Sequence, residues 1–323
     1  MLRKITPGRP FKMLGFTDLH LDDFEACFAL TLKLMEETIR TEQPDLVVFA
    51  GDNVTGGDNR ARAEMFQRTM TELKTPWAPI LGNHEGDNPL SLSRREMIEV
   101  FRKSPCCMVP EKRARLSDGS SVFGETNYVL LLEDEQGAAV HKLIFFDSGT
   151  DMTPEECKKR GIDAGPKSVD GCLQESQIAW YREQVHSDAC PSTVFLHIPL
   201  PEFREAAEKG TPLYGANHEK ISCSPWNSGL FDAVCEEGKT VAVVAGHDHI
   251  NDSRTLYRGV VCMYNRMSGL SSYNLISKKL GSTLLQGCSV YFVDAAGAMT
   301  FGDILYEERY PQYHDDIYRV IRK

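Results

Sequence analysis

The stretch 241-VAVVAGHDHIND-252 joins an apolar run to a cluster that contains two histidines and two aspartates. The run 241-VAVVA-245 is typical of a strand that is buried on both faces. If strand geometry continues beyond it, alternate side chains share a face, so His247 and His249 would point the same way. The chain has only nine histidines, so two imidazoles beside carboxylates at one strand end indicate a metal site.

Four other apolar runs also end in polar clusters. These clusters are 17-TDLH-20, 51-GDN-53, 82-GNHE-85 and 197-HIP-199. In open α/β sheets, ligands bind beyond the carboxyl ends of the strands, so the five clusters should converge. Together they offer these candidate site residues: Asp18, His20, Asp52, Asn83, His84, His197, His247 and His249.

The chemistry of this set predicts two metal ions. Imidazole mixed with carboxylate and amide oxygen suits Zn, Mn or Fe better than Ca or Mg alone. The ligands are too many for one tetrahedral ion and about enough for two ions that share a carboxylate. Two metals about 3.5–4 Å apart can clamp the attacking and leaving oxygens of an in-line displacement at phosphorus.

Strand-like and helix-like segments alternate in the first part of the chain, and strands dominate the later part. The predicted helices are 24–41, 60–73, 91–102 and 174–187. The predicted strands are 11–17, 46–50, 77–81, 121–134, 140–148, 192–197, 240–246, 253–264, 287–294 and 299–305. The stretch 150–172 is predicted to be a loop or insertion, and 211–220 is loop-like. This order predicts one α/β domain with packed sheets and outer helices over residues 1–323, with a core of about 11–305 and a C-terminal tail, 306–323, packed on it.

The ordered set DxH, GD, GNHE, H and GHxH, from residue 13 to about 264, resembles the calcineurin-like metallophosphoesterase superfamily. The resemblance implies a four-layer αββα sandwich of two mixed sheets flanked by helices. It also implies that Asp52 bridges two ions and that a hydroxide bound to the ions attacks phosphorus. One ion would take Asp18, His20, Asp52 and His249, and the other would take Asp52, Asn83, His197 and His247. His84 would face the substrate instead, as a phosphoryl contact and general acid, which makes His84 and Asp52 the catalytic candidates.

Finer matches place the resemblance in the purple acid phosphatase-like branch. The stretches 197-HIPLPE-202 and 227-NSGLF-231 resemble that branch, which includes fungal cell-cycle phosphatases and plant proteins labelled inactive. Purple acid phosphatases place a tyrosine ligand where this chain has Thr55, and usually a glycine where it has His20. Both differences argue against tyrosinate-bound Fe(III).

Three details of the site stay open at this level. The residue that orients His84 could be Asp58, Glu85 or Asp87. Asn53 and His218 are candidate substrate contacts. The identity of the metals, among Mn, Fe and Zn, is not fixed by the ligands.

Composition limits the partners. The net charge of −10 argues against nucleic acid or an anionic membrane. No apolar run has the length of a signal peptide or a membrane span, so a cytoplasmic location is predicted. The ten cysteines contain no CxxC pair, and most are predicted to be reduced and buried. The sequence does not predict the oligomeric state.

Three functions are compatible with these residues. The first is a phosphomonoesterase acting on a phosphoprotein or a small phosphate ester. The second is a phosphodiesterase acting on cyclic nucleotides or nucleotide diesters with the same metal site. The third, a non-catalytic binding scaffold, is disfavoured because all seven candidate ligands and His84 are present.

Overall fold

The first apolar run forms the central strand of a five-stranded sheet in the computed structural model, which describes residues 2–163, 169–186, 189–271 and 284–321. The spatial order is β12-β11-β1-β2-β3. Strands β1, β2 and β3 are parallel, whereas β11 runs antiparallel to both β1 and β12. The strands are β1 (Phe11–Phe16), β2 (Leu46–Ala50), β3 (Trp77–Ile80), β11 (Gly287–Val293) and β12 (Met299–Leu305).

A second sheet has seven strands in the order β4-β5-β6-β8-β10-β9-β7. Its centre, β5 to β10, is parallel, and the outer pairs are antiparallel. The strands are β4 (Tyr128–Glu133), β5 (Ala139–Phe145), β6 (Ser192–Phe195), β7 (Thr211–Tyr214), β8 (Thr240–Ala245), β9 (Arg254–Tyr257) and β10 (Val260–Tyr264). Each sheet therefore brings the carboxyl ends of several parallel strands to one edge.

Helices connect these strands and cover the sheets. The helices are α1 (Glu25–Glu42), α2 (Arg60–Leu73), α3 (Arg94–Phe101), α4 (Pro154–Lys159), α5 (Glu175–His186), α6 (Glu202–Lys209), α7 (Leu230–Glu237), α8 (Tyr306–Arg309) and α9 (His314–Ile321). Local sequence determines where some helices begin. Helix α3 begins at a capping box, in which the side chains of Ser93 and Glu96 each accept a hydrogen bond from the backbone N–H of the other residue. No helix among those described has the length and apolar character needed to cross a membrane.

The two sheets pack face to face, and the alternation along β5 shows how. Leu143 and Phe145 belong to the core that includes residues of both sheets, whereas Ile144 and Phe146 face the core beneath α5 and α7. Alternate residues of one strand thus fill two different layers. On the other side, Phe66 of α2 meets Phe49 of β2 edge to face at 5.0 Å. The predicted four-layer α/β sandwich is confirmed.

Several predicted boundaries differ from the structure, and the strand predicted at 253–264 is a hairpin of β9 and β10. The stretch predicted as a loop or insertion at 150–172 contains α4, which a capping box from Thr153 and a proline at its first position start. The loop-like stretch 211–220 begins with the exposed edge strand β7. The strand predicted at 121–134 begins only at Tyr128, because Gly124, with φ 90°, turns the chain before it.

The C-terminal residues pack against the first helix. Tyr306, Tyr310 and Ile317 form a small apolar cluster with Cys27 and Leu34 of α1. This cluster lies apart from the core between the sheets. No disulfide joins any of the ten cysteines, all of which lie in the described residues, and seven of them are buried, as predicted for most.

Candidate metal centre

Two buried carboxylates lie at the centre of the site, at the ends of β1 and β2. Asp18 and Asp52 are almost completely buried. Oδ2 of Asp18 accepts hydrogen bonds from the Thr17 hydroxyl and from the backbone N–H of His247, and Oδ1 of Asp52 accepts one from the backbone N–H of His84. The other oxygen of each carboxylate, Oδ1 of Asp18 and Oδ2 of Asp52, is buried without a hydrogen-bond partner. Such orphaned oxygens are rare unless an ion satisfies them.

The first group of candidate ligands surrounds Oδ1 of Asp18. Nε2 of His249 lies 3.4 Å from this oxygen, and Nε2 of His20 lies 3.8 Å from it. The two imidazole nitrogens lie 3.2 Å from each other. These three side chains offer ligand atoms close enough together to hold one ion.

The second group surrounds His197, which follows β6. Its Nε2 lies 3.0 Å from Oδ1 of Asn83 and 3.3 Å from Oδ2 of Asp52. Its Nδ1–H donates to the carbonyl oxygen of Ala50 at 2.8 Å, which fixes the ring and leaves Nε2 for a metal. Asp18, Asp52 and His197 form the second compact ligand group among the described residues.

Asp52 lies between the two groups. Its Oδ2 is 3.6 Å from Nε2 of His20 and 3.3 Å from Nε2 of His197. This position fits the bridging role that the sequence predicts for Asp52. His247 lies farther out: its ring centre is 5.2 Å from that of His197, and its Nε2 is 3.3 Å from Oδ1 of Asp170.

The donor set fits two ions. Burial raises the pKa of Asp18 and Asp52, but the neighbouring imidazoles outweigh it and hold both pKa values far below the usual range. Burial lowers the pKa of His20 to about 4, so its imidazole is neutral and able to bind a metal near pH 7. Ionised carboxylates with free buried oxygens and neutral imidazoles are the donors that Zn, Mn and Fe prefer.

The backbone of the ligand loops has an unusual conformation. Among the described residues, eight other than glycine have positive φ, and four of these are candidate ligands: Asp18, His20, Asp52 and His247. Positive φ is uncommon for residues with a Cβ and concentrates at functional sites. At Gly51, with φ 97°, an added Cβ would overlap the ring of His197, so the glycine of the GD motif makes room for a ligand.

The loops that follow β2 and β3 are joined by one buried carboxylate, Glu85. It accepts hydrogen bonds from the backbone N–H groups of Gly82, Asp52 and Asn53, and from the side-chain amide of Asn53. Burial and the charge of Asp52 raise the pKa of Glu85 to about 7 against these hydrogen bonds. Glu85 therefore fixes the loop of Asp52 relative to the loop of Asn83.

His84 is half-exposed beside the ligand groups, and its orienting partner is Asp87. Nδ1 of His84 lies 2.6 Å from Oδ2 of Asp87. Burial lowers the pKa of His84, but the charges of Asp52 and Asp87 outweigh it and raise that pKa above its ordinary value. Of the three residues that the sequence left open for this role, the geometry selects Asp87.

A cavity of about 330 Å³ opens beside His84. Its walls include His20, Thr55 and Asp87, and the exposed side chain of Phe24 stands at its edge. The cavity thus joins a candidate ligand to the candidate acid at one opening, where part of a substrate could lie.

Asn53 and His218, the two further predicted substrate contacts, have partners within the protein. Asn53 is fully buried, and its amide nitrogen donates to the carbonyl oxygen of Ile80 and to Glu85, so it supports the loop and offers no surface to a substrate. Nε2 of His218 lies 3.4 Å from Oδ1 of Asp252. A substrate contact by His218 remains a prediction.

The strand alternation predicted for His247 and His249 is wrong. Strand β8 ends at Ala245, and His247 has φ 75°, so side-chain alternation does not continue. A turn presents His249 to the first ligand group instead. The contact of Asp170 with His247 was not predicted, because a single aspartate in a polar connection carries no distinctive signal in the sequence.

Comparison with known proteins agrees with this geometry. The model of the calcineurin-like phosphoesterase family matches residues 11–251. The chain belongs to this family. The match includes each of the candidate ligands and His84.

Individual relatives resemble the chain over most of its length. It is 30% identical to probable inactive purple acid phosphatase 28 of Arabidopsis thaliana, over 81% of this chain and 71% of that protein. It is 28% identical to phosphatase DCR2 of Saccharomyces cerevisiae, over 75% of this chain and 44% of that protein.

A solved structure of a dimetal phosphatase from Danio rerio has a similar fold. Its TM-score is 0.59 at 15% identity, with 91% of this chain and 95% of that chain covered. Family, fold and donor groups together support two metal ions in this chain.

Proposed function

We propose that this protein is a metal-dependent phosphatase that hydrolyses phosphomonoesters, either of a phosphoprotein or of a small molecule. The observation that carries the proposal is the pair of orphaned oxygens, Oδ1 of Asp18 and Oδ2 of Asp52, set among imidazoles and beside the half-exposed His84. Asp18, His20, Asp52 and His249 would hold one ion. Asp52, Asn83, His197 and His247 would hold the other. Bound ions would lower the pKa of a water molecule towards about 7 and offset charge on the phosphoryl oxygens.

The residues of the chain supply the rest of the chemistry. Asp87 holds the His84 ring through Nδ1, which leaves Nε2–H as the donor towards the substrate. From there His84 can hydrogen-bond a phosphoryl oxygen and protonate the departing alkoxide. The remaining part of the ester would occupy the cavity beside Phe24 and Thr55.

The charge of His84 favours monoesters over diesters. Its raised pKa keeps more of the imidazole protonated near neutral pH. A phosphomonoester is a dianion at that pH and a diester only a monoanion, so the cation stabilises the bound monoester more strongly. The complete ligand set argues against a non-catalytic scaffold.

Turnover of two chromogenic esters tests this function. Purified protein loaded with Mn²⁺ is expected to hydrolyse 4-nitrophenyl phosphate with a higher kcat/KM than bis(4-nitrophenyl) phosphate. The reverse preference would identify a phosphodiesterase. If the protein binds two ions per chain and hydrolyses neither ester, it is a binding scaffold.

A further inference from the structure

Asp170 belongs to the connection between α4 and α5 and touches the candidate metal centre. Its Oδ1 lies 3.3 Å from Nε2 of His247, and its Oδ2 accepts a hydrogen bond from the Ser222 hydroxyl at 2.9 Å. The side chains of both His247 and Asp170 are largely buried, with 12% and 23% of their surface exposed. The family motifs and the candidate ligand set do not include Asp170.

The neighbouring ligand His197 makes a contact of the same kind. Nδ1–H of His197 donates to the carbonyl oxygen of Ala50, and its other nitrogen, Nε2, faces Asn83 and Asp52. A hydrogen bond at one nitrogen of a neutral imidazole places the proton there and the lone pair on the other nitrogen. The same rule applied to His247 puts the proton on Nε2, against Asp170, and the lone pair on Nδ1.

We propose that Asp170 is a positioning residue of the second metal site, which holds His247 in the Nε2–H tautomer and leaves Nδ1 as the nitrogen that binds the ion. A carboxylate that accepts the N–H of a ligand imidazole also fixes the orientation of the ring, which strengthens a bond to a cation. This inference rests on the ligand set of the proposed function, and it does not depend on which phosphate ester is the substrate.

The surroundings fix Asp170 in this position. The backbone N–H of Ser222 donates to Oδ1 of Asp248, the residue that follows His247, at 3.1 Å. Oδ2 of Asp248 in turn accepts a hydrogen bond from the hydroxyl of Tyr264 at 2.5 Å. Ser222 therefore holds Asp170 with its hydroxyl and Asp248 with its backbone, so the partner of His247 is tied to the turn that carries His247.

Metal titration of Asp170→Asn and Asp170→Ala tests the proposal. The metal-free variants and wild type would be titrated with Mn²⁺ by calorimetry, and bound metal would be counted by elemental analysis. Both variants should bind one ion as wild type does and the other about 10–100-fold more weakly. Asp170→Glu, which keeps a carboxylate, should recover part of the loss. Asp151→Asn, which removes a carboxylate from the segment between β5 and α4, is the matched control and should bind both ions normally.

Two further measurements separate positioning from a general structural role. Nitrogen-15 spectra of the imidazoles in metal-free wild type should show His247 protonated at Nε2, and Asp170→Ala should reduce that tautomer. The melting temperatures of the metal-free proteins should be similar. The role of Asp170 would be overturned if the variants bound both ions equally more weakly and also had a lower melting temperature. Wild-type affinity at both sites would overturn it as well. Failure of wild type to bind two ions would instead count against the proposed function.

Discussion

Nε2 of His20 lies 3.2 Å from Nε2 of His249, although 229 residues separate them in the chain. Two N–H groups cannot face each other at that distance, and both nitrogens also approach Oδ1 of Asp18. A cation shared by the three side chains accounts for the arrangement, since ligands of one tetrahedral ion with bonds of about 2.0 Å lie about 3.3 Å apart.

Asp52→Asn is expected to lose both ions. Oδ2 of Asp52 is the oxygen between His20 and His197, and an amide oxygen is a much weaker bridging ligand than a carboxylate. Elemental analysis after dialysis against a low metal concentration measures the loss. Asp118→Asn on the surface serves as the control. Retention of two ions at wild-type affinity would refute the bridge.

His84→Ala should reduce kcat by about 10²–10⁴-fold while metal content stays normal, because His84 is outside the ligand groups. The reduction should be larger for an alkyl phosphate than for 4-nitrophenyl phosphate, since 4-nitrophenolate leaves without being protonated. Steady-state kinetics with both esters measures the difference. An equal reduction for the two would exclude His84 as the general acid and leave only its role as a phosphoryl contact.

Asp87→Asn should move the alkaline limb of the pH profile to lower pH. The Asp87 carboxylate helps to raise the pKa of His84, so its removal lowers that pKa and the acid form is lost earlier as pH rises. The profile of kcat for an alkyl phosphate is the measurement. Asp58→Asn, which changes the other nearby aspartate that the sequence offered, should leave the limb in place. A shift to higher pH would contradict the assignment.

Metal uptake should release protons and strengthen as pH rises. Burial lowers the pKa of His197, but Asp52 and Asp18 outweigh it and raise the pKa to about 10. The metal-free ring therefore carries a proton on both nitrogens at neutral pH. An ion must displace the proton on Nε2, and the apparent affinity should rise by up to about tenfold per pH unit. Calorimetry in buffers of different ionisation enthalpy counts the protons. Uptake without proton release would contradict this electrostatic account.

Glu85→Gln should lower the free energy of unfolding by about 1–3 kcal/mol. The glutamine side chain would direct an N–H group at backbone donors that now bond to the carboxylate, so at least one of them would lose its acceptor. Urea denaturation of the metal-free protein measures the change. Glu99→Gln on the exposed face of α3 should change stability by less than about 0.5 kcal/mol. Similar values for the two variants would show that Glu85 does not fix the loops.

Much of the site was predictable from sequence because its signals are local. Each candidate ligand directly follows an apolar run, and parallel strands necessarily end at a shared edge. The helix at 60–73, predicted as a polar-faced helix, has its observed bounds at the predicted residues for a similar reason: its signals lie within one short stretch.

The remainder depends on contacts between distant segments. Asp170 meets His247 across 77 residues, and nothing in the neighbourhood of either residue specifies the other. Strand β7 is exposed along its whole length and is defined by its pairing with β9 rather than by an apolar pattern. Asp87 was one of three candidates, and only the position of its carboxylate relative to Nδ1 of His84 distinguishes it.

Asp18, Asp52 and Asn83 follow strands of the five-stranded sheet, whereas His197, His247 and His249 follow strands of the seven-stranded sheet. Ions held by both sets would act as cross-links between the two halves of the sandwich, at the one edge where their loops meet. Occupancy of the centre should therefore govern how readily the halves separate, so that chelation would accelerate unfolding and proteolysis of the protein as well as stopping its chemistry.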